Sequence, residues 1–406
     1  MDIAIVVILG VLSGVGLLLA MILCIETLSA AFAPPMASAA GGERRRLAVL
    51  IPAHDEASAL AATLRALARQ LAPADWLLVV ADNCSDATAA IAAAEGAEVI
   101  ERHDSVRRGK GYALEFGLRH LERDAPEVMI VVDADCTVAP GAIVRLSRLC
   151  DLSGRPVQAL YLMQAPEDAG PLARLAQFAW TIRNQVRPLG LRRLGLPCQL
   201  MGSGMAFPWK RIRPVDFATG HLVEDLKLGI DLARAGVPPL LCPEALVTSF
   251  FPASKEGTRR QRTRWEHGHL ALMISAGPRL LLQGVAAMSV DLVAMGLDLW
   301  VPPLSLLALQ ICIVWLAAAA LAVLTGVRFP VEVASAAAGL MIVAILASWA
   351  RYGRHIVSLG TLVLAFAYAL GKIPMYGRFV WARQLEWVRT ERDARRHAAR
   401  IKNSGG

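Results

Sequence analysis

The sequence predicts an α/β domain built on a mostly parallel sheet and flanked by transmembrane α-helices. Three observations carry that prediction. Apolar residues make up 55% of the 406-residue chain and collect at its two ends. The middle, roughly 43 to 280, has ordinary mixed charge. Within it, short apolar runs alternate with segments of helical period, the pattern of strands joined by crossover helices.

Residues Ile3 to Ala33 form one apolar run whose only acid is Glu26, with Asp2 just before it; about 18 continuous apolar residues suffice to cross a bilayer. A signal peptide would have a basic stretch ahead of a shorter run, and this one has neither. The second apolar block, Leu299 to Gly371, is broken at Arg328-Phe329-Pro330 and at Arg351-Tyr352-Gly353-Arg354. That leaves about two or three spans, near 299–325, 331–350 and 356–376.

Arg44, Arg45 and Arg46 follow the first run directly, which places the middle on the cytoplasmic side. The tail from Arg378 to Lys402 carries eight Lys and Arg and is expected there too. Three C-terminal crossings would leave it outside, so either the segment closing on Gly371-Lys372-Ile373-Pro374 is re-entrant or interfacial, or a crossing lies in 281–298. The expected organisation is an N-terminal transmembrane helix and linker over 1–42 and the α/β domain over 43–270. Interfacial helices over 271–298, transmembrane helices over 299–377 and a basic cytoplasmic tail over 378–406 follow, in an integral protein of the inner (cytoplasmic) membrane.

The net charge of +8 belongs largely to these membrane-flanking segments, which argues for anionic lipid headgroups as partners and against nucleic acid. Seven scattered cysteines, with no C-x-x-C pair, read as reduced cytosolic thiols.

In the middle domain, Leu47 to Pro52 is the first expected strand, followed by a helix with Leu60, Leu64, Leu67 and Leu71 on one face. Strands are expected at Trp76 to Val80, Ala97 to Ile100 and Val128 to Val132, with helices at Ala87 to Ala94 and Tyr112 to Leu121. Ligands of such sheets bind beyond the carboxyl ends of the strands. The acids sit at that edge: "PAHDE" ends the first strand, "ADNCSD" the second and "DADC" the fourth. In an extended segment Asp133 and Asp135 point to the same side. Two converging carboxylates repel unless a proton or cation neutralises them, and a hard divalent metal bridging to a diphosphate does so. A solvated turn is the plainer alternative. Arg108-Gly109-Lys110-Gly111 opens a helix with a glycine-flanked lysine, suited to close approach to a phosphate or nucleotide.

Taken in order, these segments resemble the family 2 glycosyltransferases of GT-A fold, especially the membrane-embedded ones related to cellulose, chitin and hyaluronan synthases. The resemblance covers roughly residues 46 to 270. "IPAHDE" is similar to the opening nucleotide motif, "DNCSDAT" to the second, "RGKGYAL" to the lysine motif and "DAD" to the metal motif; "VEDLKLGIDLARAG" at 223–236 is similar to the acceptor helix. Gln261-Arg262-Thr263-Arg264-Trp265 is a full Q-x-x-R-W, and Gly202-Ser203-Gly204 matches the small-residue segment near the acceptor. The chain departs from the pattern at Ala81, Cys84, His54-Asp55 and Val223.

The resemblance implies a UDP-sugar donor whose nucleotide is seated by Pro52, His54, Glu56, Asp82, Lys110 and Asp133, with Asp82 on the uracil ring. It implies Mn2+ or Mg2+ at Asp135, shared with Asp133, and Asp225 as the base for the acceptor hydroxyl. Glu224, Gln261, Arg264, Trp265, Gly202 and Ser203 would line the acceptor and diphosphate side. The expected reaction is inverting transfer of a hexose to a lipid-linked or membrane-delivered glycan, in polysaccharide or glycolipid biosynthesis with partners in polysaccharide assembly. A processive polymer synthase and a non-catalytic nucleotide-sugar-binding subunit of an export complex are the alternatives; a nucleotidyltransferase would need a glycine-rich basic loop after the first strand.

Each motif also has a plainer reading. Asp82 and Asp86 suit an Asx turn and a helix N-cap. Acids in a first helical turn, such as Glu224 and Asp225, favour the helix dipole whatever their function. Arg259, Arg260, Arg262 and Arg264 beside Trp265 would suit an interfacial helix. His267 and His269, without further clustered ligands, are expected to be solvated or interfacial.

Overall fold

The computed structural model describes residues 3–31, 44–166, 168–215, 217, 223–252 and 254–381. Along the chain the elements are α1 (Ile3–Ala31), β1 (Leu47–Ala53), α2 (Leu60–Ala68), β2 (Trp76–Asp82), α3 (Thr88–Ala94), β3 (Glu98–Arg102), α4 (Lys110–Leu121), β4 (Val128–Val131) and β5 (Thr137–Val138). Then come α5 (Ala142–Ser153), β6 (Val157–Gln164), α6 (Pro171–Thr181), α7 (Arg187–Arg193), β7 (Met205–Pro208), α8 (Trp209–Ile212), α9 (Glu224–Arg234), β8 (Leu240–Phe250) and α10 (Lys255–Ser275). The helices α11 (Gly277–Ala286), α12 (Val290–Trp300), α13 (Leu304–Thr325), α14 (Phe329–Ser348), α15 (Leu359–Leu362), α16 (Ala365–Leu370) and α17 (Ile373–Trp381) complete the described chain. The described residues fall into two compact units, one of 44–166 and 197–268, the other of 3–31, 168–196 and 269–381.

The first unit is built on an eight-stranded sheet of order β3-β2-β1-β4-β7-β6-β8-β5. Its first half is parallel, with β1 between β2 and β4 and Leu50 opposite both Leu78 and Val131. These strands are continuous apolar runs because helices cover both faces, and Leu47 through Ile51 are fully buried. The second half is mixed: β7 runs antiparallel to β4 and β6, β6 is parallel to β8, and β5 is antiparallel to β8. Leu50, Val80, Leu114, Leu118, Met129 and Phe207 share one core cluster. Helix α4 approaches the sheet at Gly117, where a Cβ would collide with the Leu50 side chain.

The entry to β1 is clamped by ion pairs. Arg44 pairs with Asp75, Arg45 with Asp151 and Arg46 with Asp124. The three arginines that follow the first apolar run therefore also anchor the sheet's leading strand.

The second unit is helical. Four helical stretches in it are long and apolar enough to cross a membrane: Ile3–Ala31, Leu304–Thr325, Phe329–Gly353 and Leu359–Phe379. On α1 the buried positions, among them Gly16, Ala20, Leu23 and Thr27, recur at helical spacing, while Val7, Val11, Val15 and Leu18 lie exposed. A π-helical segment, Ile182–Val186, joins α6 to α7. Helix α7 lies close to α1, since a Cβ on Gly190 would run into the Glu26 carbonyl. There the guanidinium of Arg187 donates from Nε to Glu26 at 2.5 Å and from Nη2 to the Asp298 carboxylate at 2.6 Å and its carbonyl at 2.8 Å. All three residues are buried, so each charge depends on the others for solvation. The basic tail from residue 382 onward lies outside the described residues.

Candidate active site

The carboxyl ends of β1, β2 and β4 adjoin, and the sequence places its acids there. After β1 the chain turns through Asp55, which has a φ of 51°. The Asp55 carboxylate accepts from the backbone nitrogens of Ser85 at 2.6 Å and Asp86 at 3.2 Å, which ties the loop after β1 to the loop after β2. His54 Nδ1 lies 2.6 Å from the Asp82 carbonyl and donates to it. Pro52 ends the run as a half-buried strand residue, and the backbone nitrogen of Glu56 donates to the Thr88 hydroxyl at 2.8 Å. Asp86 accepts from Thr88 N at 2.9 Å, the helix-entry role open to it on sequence.

Asp82 is no solvated turn residue. It is buried, and its Oδ1 accepts from Arg102 Nη1 at 2.6 Å and from Asn83 Nδ2 at 3.0 Å. Burial raises the Asp82 carboxyl above its ordinary range and the Arg102 guanidinium offsets part of that rise.

Asp133 and Asp135 converge, but not as alternate residues of a strand. Strand β4 ends at Val131, and the two aspartates occupy a turn closed by Cys136 N donating to the Asp133 carbonyl at 3.2 Å. The turn brings a carboxylate oxygen of each, with the Cys136 sulfur, within 4.8 Å of one another. Asp133 N donates to Ser203 Oγ at 3.0 Å, and Ser249 Oγ donates to Asp135 at 3.0 Å. Burial, then the adjacent Asp135 and Asp133, push the Cys136 thiol well up, so it stays a thiol and leaves two carboxylates as the donors. That oxygen set fits a hard divalent cation.

Lys110 is the first residue of α4, after Gly109 at a φ of 128°. Its Nζ lies 2.5 Å from Asp133 Oδ1 and donates to the Gly202 carbonyl at 2.5 Å. Burial pulls the ammonium down, but Asp133, Glu224 and Asp225 together hold its pKa above the usual lysine value.

Gly202 and Gly204 have φ values of 94° and 68° in the turn before β7. A Cβ on Gly202 would stand 3.2 Å from Asp225 Oδ2 and 3.9 Å from Lys110 Nζ. One on Gly204 would meet the Ala159 Cβ at 2.6 Å. Gln158 holds this turn, accepting from Met201 N and donating to the Ser203 carbonyl, both at 2.8 Å.

Helix α9 begins at Glu224 with Asp225 beside it, both half-buried, and buries Leu226, Ile230 and Ala233 as the spacing predicts. Burial first, then the charge of Asp225, raise the Glu224 carboxyl, while Lys110 and Arg264 pull it back. Arg264 thus acts on Glu224 from α10, where Gln261 is buried, its Oε1 without a hydrogen-bond partner among the described residues, and Trp265 is half-buried. Val223, where threonine is usual in the resembling family, faces Gly268, whose Cβ would stand 2.7 Å from a Val223 methyl.

Of the expected solvated or interfacial histidines, the solvated alternative is corrected: His267 is 1% exposed and His269 6%. Among the described residues neither belongs to a group that could hold a metal. The structure adds Arg102, Gln158 and Ser249 to the sequence-derived set. Gln158 carries a readable signal, a polar residue inside an apolar run; Arg102, which ends β3, and Ser249, next to last in β8, carry none.

A half-parallel sheet with acid-bearing loops after β1 and β2, an acidic turn after β4 and an acid-led helix at its far side defines a GT-A type domain. Residues 44–268, more than half of the chain, match the family described as "Glycosyltransferase like family 2", and the chain belongs to that family. The "Probable glycosyltransferase YdaM" of Bacillus subtilis (strain 168) is 28% identical over 258 residues, 56% of this chain. The match spans 56% of that curated relative's length, about half of it. A mannosyltransferase from Pyrobaculum calidifontis, solved with GDP-Man and Mn2+, superimposes at a TM-score of 0.56 over 92% of this chain and 100% of that one, at 16% identity. A glucosyl-3-phosphoglycerate synthase from Mycobacterium tuberculosis, solved with Mn2+, UDP-glucose and phosphoglyceric acid, gives 0.38 over 54% of this chain and 78% of that one, at 23% identity.

Proposed function

We propose that this chain is an inverting, metal-dependent hexosyltransferase that moves a sugar from a UDP-sugar to a lipid-linked or membrane-delivered glycan acceptor. It acts at the cytoplasmic face of the inner membrane, in polysaccharide or glycolipid synthesis. The observation that carries the reading is the convergence at Gly202: Asp225 and Lys110 both approach this glycine, and Lys110 in turn holds Asp133. One residue therefore links an acid suited to deprotonating an acceptor with the groups suited to a diphosphate.

In this reading Asp82, His54, Pro52 and Glu56 seat the nucleoside, and Lys110 and Arg264 face the diphosphate oxygens. Asp135 and Asp133 would hold Mn2+ or Mg2+, which when bound stabilises the charge of the departing diphosphate. Asp225 takes the proton of the attacking hydroxyl as that oxygen reaches the anomeric carbon from the face opposite the diphosphate. Direct displacement inverts the anomeric centre. The neighbouring Glu224, its carboxyl raised by burial, lessens negative charge beside Asp225. Trp265 offers an apolar wall for the sugar or acceptor, while Gln261 lies one helical turn from it on α10 and Ser203 braces the acidic turn through Asp133 N. The arginines at 44–46 and the four apolar helices support the cytoplasmic, membrane-integral placement.

The test compares Asp135→Asn and Asp225→Asn. Both should lose transfer while melting like the wild type, and only Asp135→Asn should weaken metal-dependent nucleotide binding. Retained transfer in Asp225→Asn would remove the base assignment.

A further inference from the structure

Asp82 is 6% exposed at the end of β2, yet only one of its oxygens is used by the protein. Oδ1 accepts from Arg102 Nη1 at 2.6 Å and Asn83 Nδ2 at 3.0 Å, which fills both of its lone pairs. No donor among the described residues reaches Oδ2, and that atom is not sealed from solvent. The arrangement is rigid. Arg102 is 8% exposed, donates from Nη2 to Asp104 at 3.1 Å and to the Arg107 carbonyl at 2.7 Å, and lies 5.7 Å from the Tyr112 ring centre. Asn83, at a φ of 52°, accepts from Asp104 N at 2.8 Å, and His54 holds the Asp82 carbonyl. The carboxyl ends of β1, β2 and β3 thus present one fixed, solvent-accessible acceptor, unpaired among the described residues, where a parallel sheet binds its nucleoside.

The chemistry of the bases decides what such an edge takes. A uracil edge offers one N–H between two carbonyls. A guanine edge offers two adjacent donors and pairs best with both oxygens of a carboxylate. Adenine and cytosine offer this edge an exocyclic amino group beside a ring nitrogen that is an acceptor. With Oδ1 occupied, guanine would bury an amino group facing an oxygen that has no lone pair left, and leaving a donor unpaired costs more than a bond made is worth.

We propose that Arg102 is a specificity-determining residue, saturating Oδ1 of Asp82 so that the base subsite favours uracil, with its single ring N–H, over guanine. The inference rests on the nucleotide-sugar reading and adds to it the residue that chooses the base. Arg102 acts through Asp82 and is a positioning residue.

The experiment is calorimetric titration of the full chain in detergent with Mn2+, using UDP and GDP. The wild type should bind UDP at least about tenfold more tightly than GDP, the size of one lost hydrogen bond. Arg102→Met frees one lone pair of Oδ1, enough for the guanine amino group, and should compress that ratio to within about threefold, whereas Arg102→Lys, which keeps a donor, should retain more of it. Asn83→Gly tolerates the positive φ, removes the second donor and should relax the ratio partially even where Arg102→Met does not fold. A merely structural role for Arg102 would lower both affinities together and leave the ratio unchanged, which would overturn the proposal, as would a wild type that binds GDP as tightly as UDP. GDP preference would leave the nucleotide-sugar reading standing; binding of neither nucleotide by a folded protein would contradict that reading and this one with it.

Discussion

Lys110 Nζ lies 2.5 Å from Asp133 Oδ1, so the helix that opens after Gly109 is fastened to the acidic turn after β4. The same ammonium donates to the Gly202 carbonyl, which positions the turn facing Asp225. Lys110→Met should therefore reduce kcat/KM by about a hundredfold or more, since both the charge on the diphosphate and the orientation of two loops are lost. It should also weaken UDP binding. Unchanged UDP affinity in a folded Lys110→Met protein would confine the lysine to a scaffold role.

Gly202 allows a direct steric test. Alanine there takes a left-handed φ of 94° and sets a Cβ 3.2 Å from Asp225 Oδ2. Gly202→Ala should cost about 1 kcal/mol or more of stability. Transfer should fall at least about tenfold through displacement of Asp225, with nucleotide affinity little changed. Steady-state kinetics beside a nucleotide titration separate the two effects.

In the helical unit, Arg187 pairs with both Glu26 and Asp298. Arg187→Met leaves two buried acids uncompensated and should destabilise the protein by about 3–5 kcal/mol. Glu26→Gln, which keeps a hydrogen-bonding partner for the guanidinium, should cost less. Thermal melts in detergent give the order; a larger loss in Glu26→Gln would contradict it.

His269 predicts a pH dependence. Burial, then the nearby charges of Arg183 and Arg187, push its pKa down to about 3. An unfolded histidine titrates near 6.5, so the unfolded chain binds more protons than the folded one between those values. The histidine's contribution is thus present above about pH 6.5 and lost as pH falls toward about 3, at up to about 1.4 kcal/mol per pH unit. His269→Leu should flatten the fall of Tm between pH 7 and pH 5. An equal slope in both proteins would show that His269 does not link protons to folding.

The parallel half of the sheet was legible because β1, β2 and β4 are buried on both faces and read as unbroken apolar runs. The mixed half was not. Strand β5 has two residues and β7 four, too short for any period, and β6 and β8 pair through a register shift after Ala159 and Cys242. The acids of "DADC" were legible as a pair, but the turn that converges them was not, because Asp-x-Asp fits an extended strand equally well. Arg102 gives no signal in the sequence, since a charge at a strand end normally faces water. The burial of His267 and His269 was hidden by the run of arginines before them, which suggests a wet helix face, while the packing of Gly268 on Val223 is a tertiary fact.

The central claim is metal-dependent transfer from a nucleotide sugar. The most direct measurement is UDP release by the purified protein in detergent, with Mn2+ or Mg2+, across a panel of UDP-sugars with and without membrane lipid extract. The account predicts release from one sugar, abolished by chelation and by Asp225→Asn, and rising when lipid is added. No release from any sugar, by a protein that binds UDP, would contradict it and leave a nucleotide-sugar-binding subunit in its place.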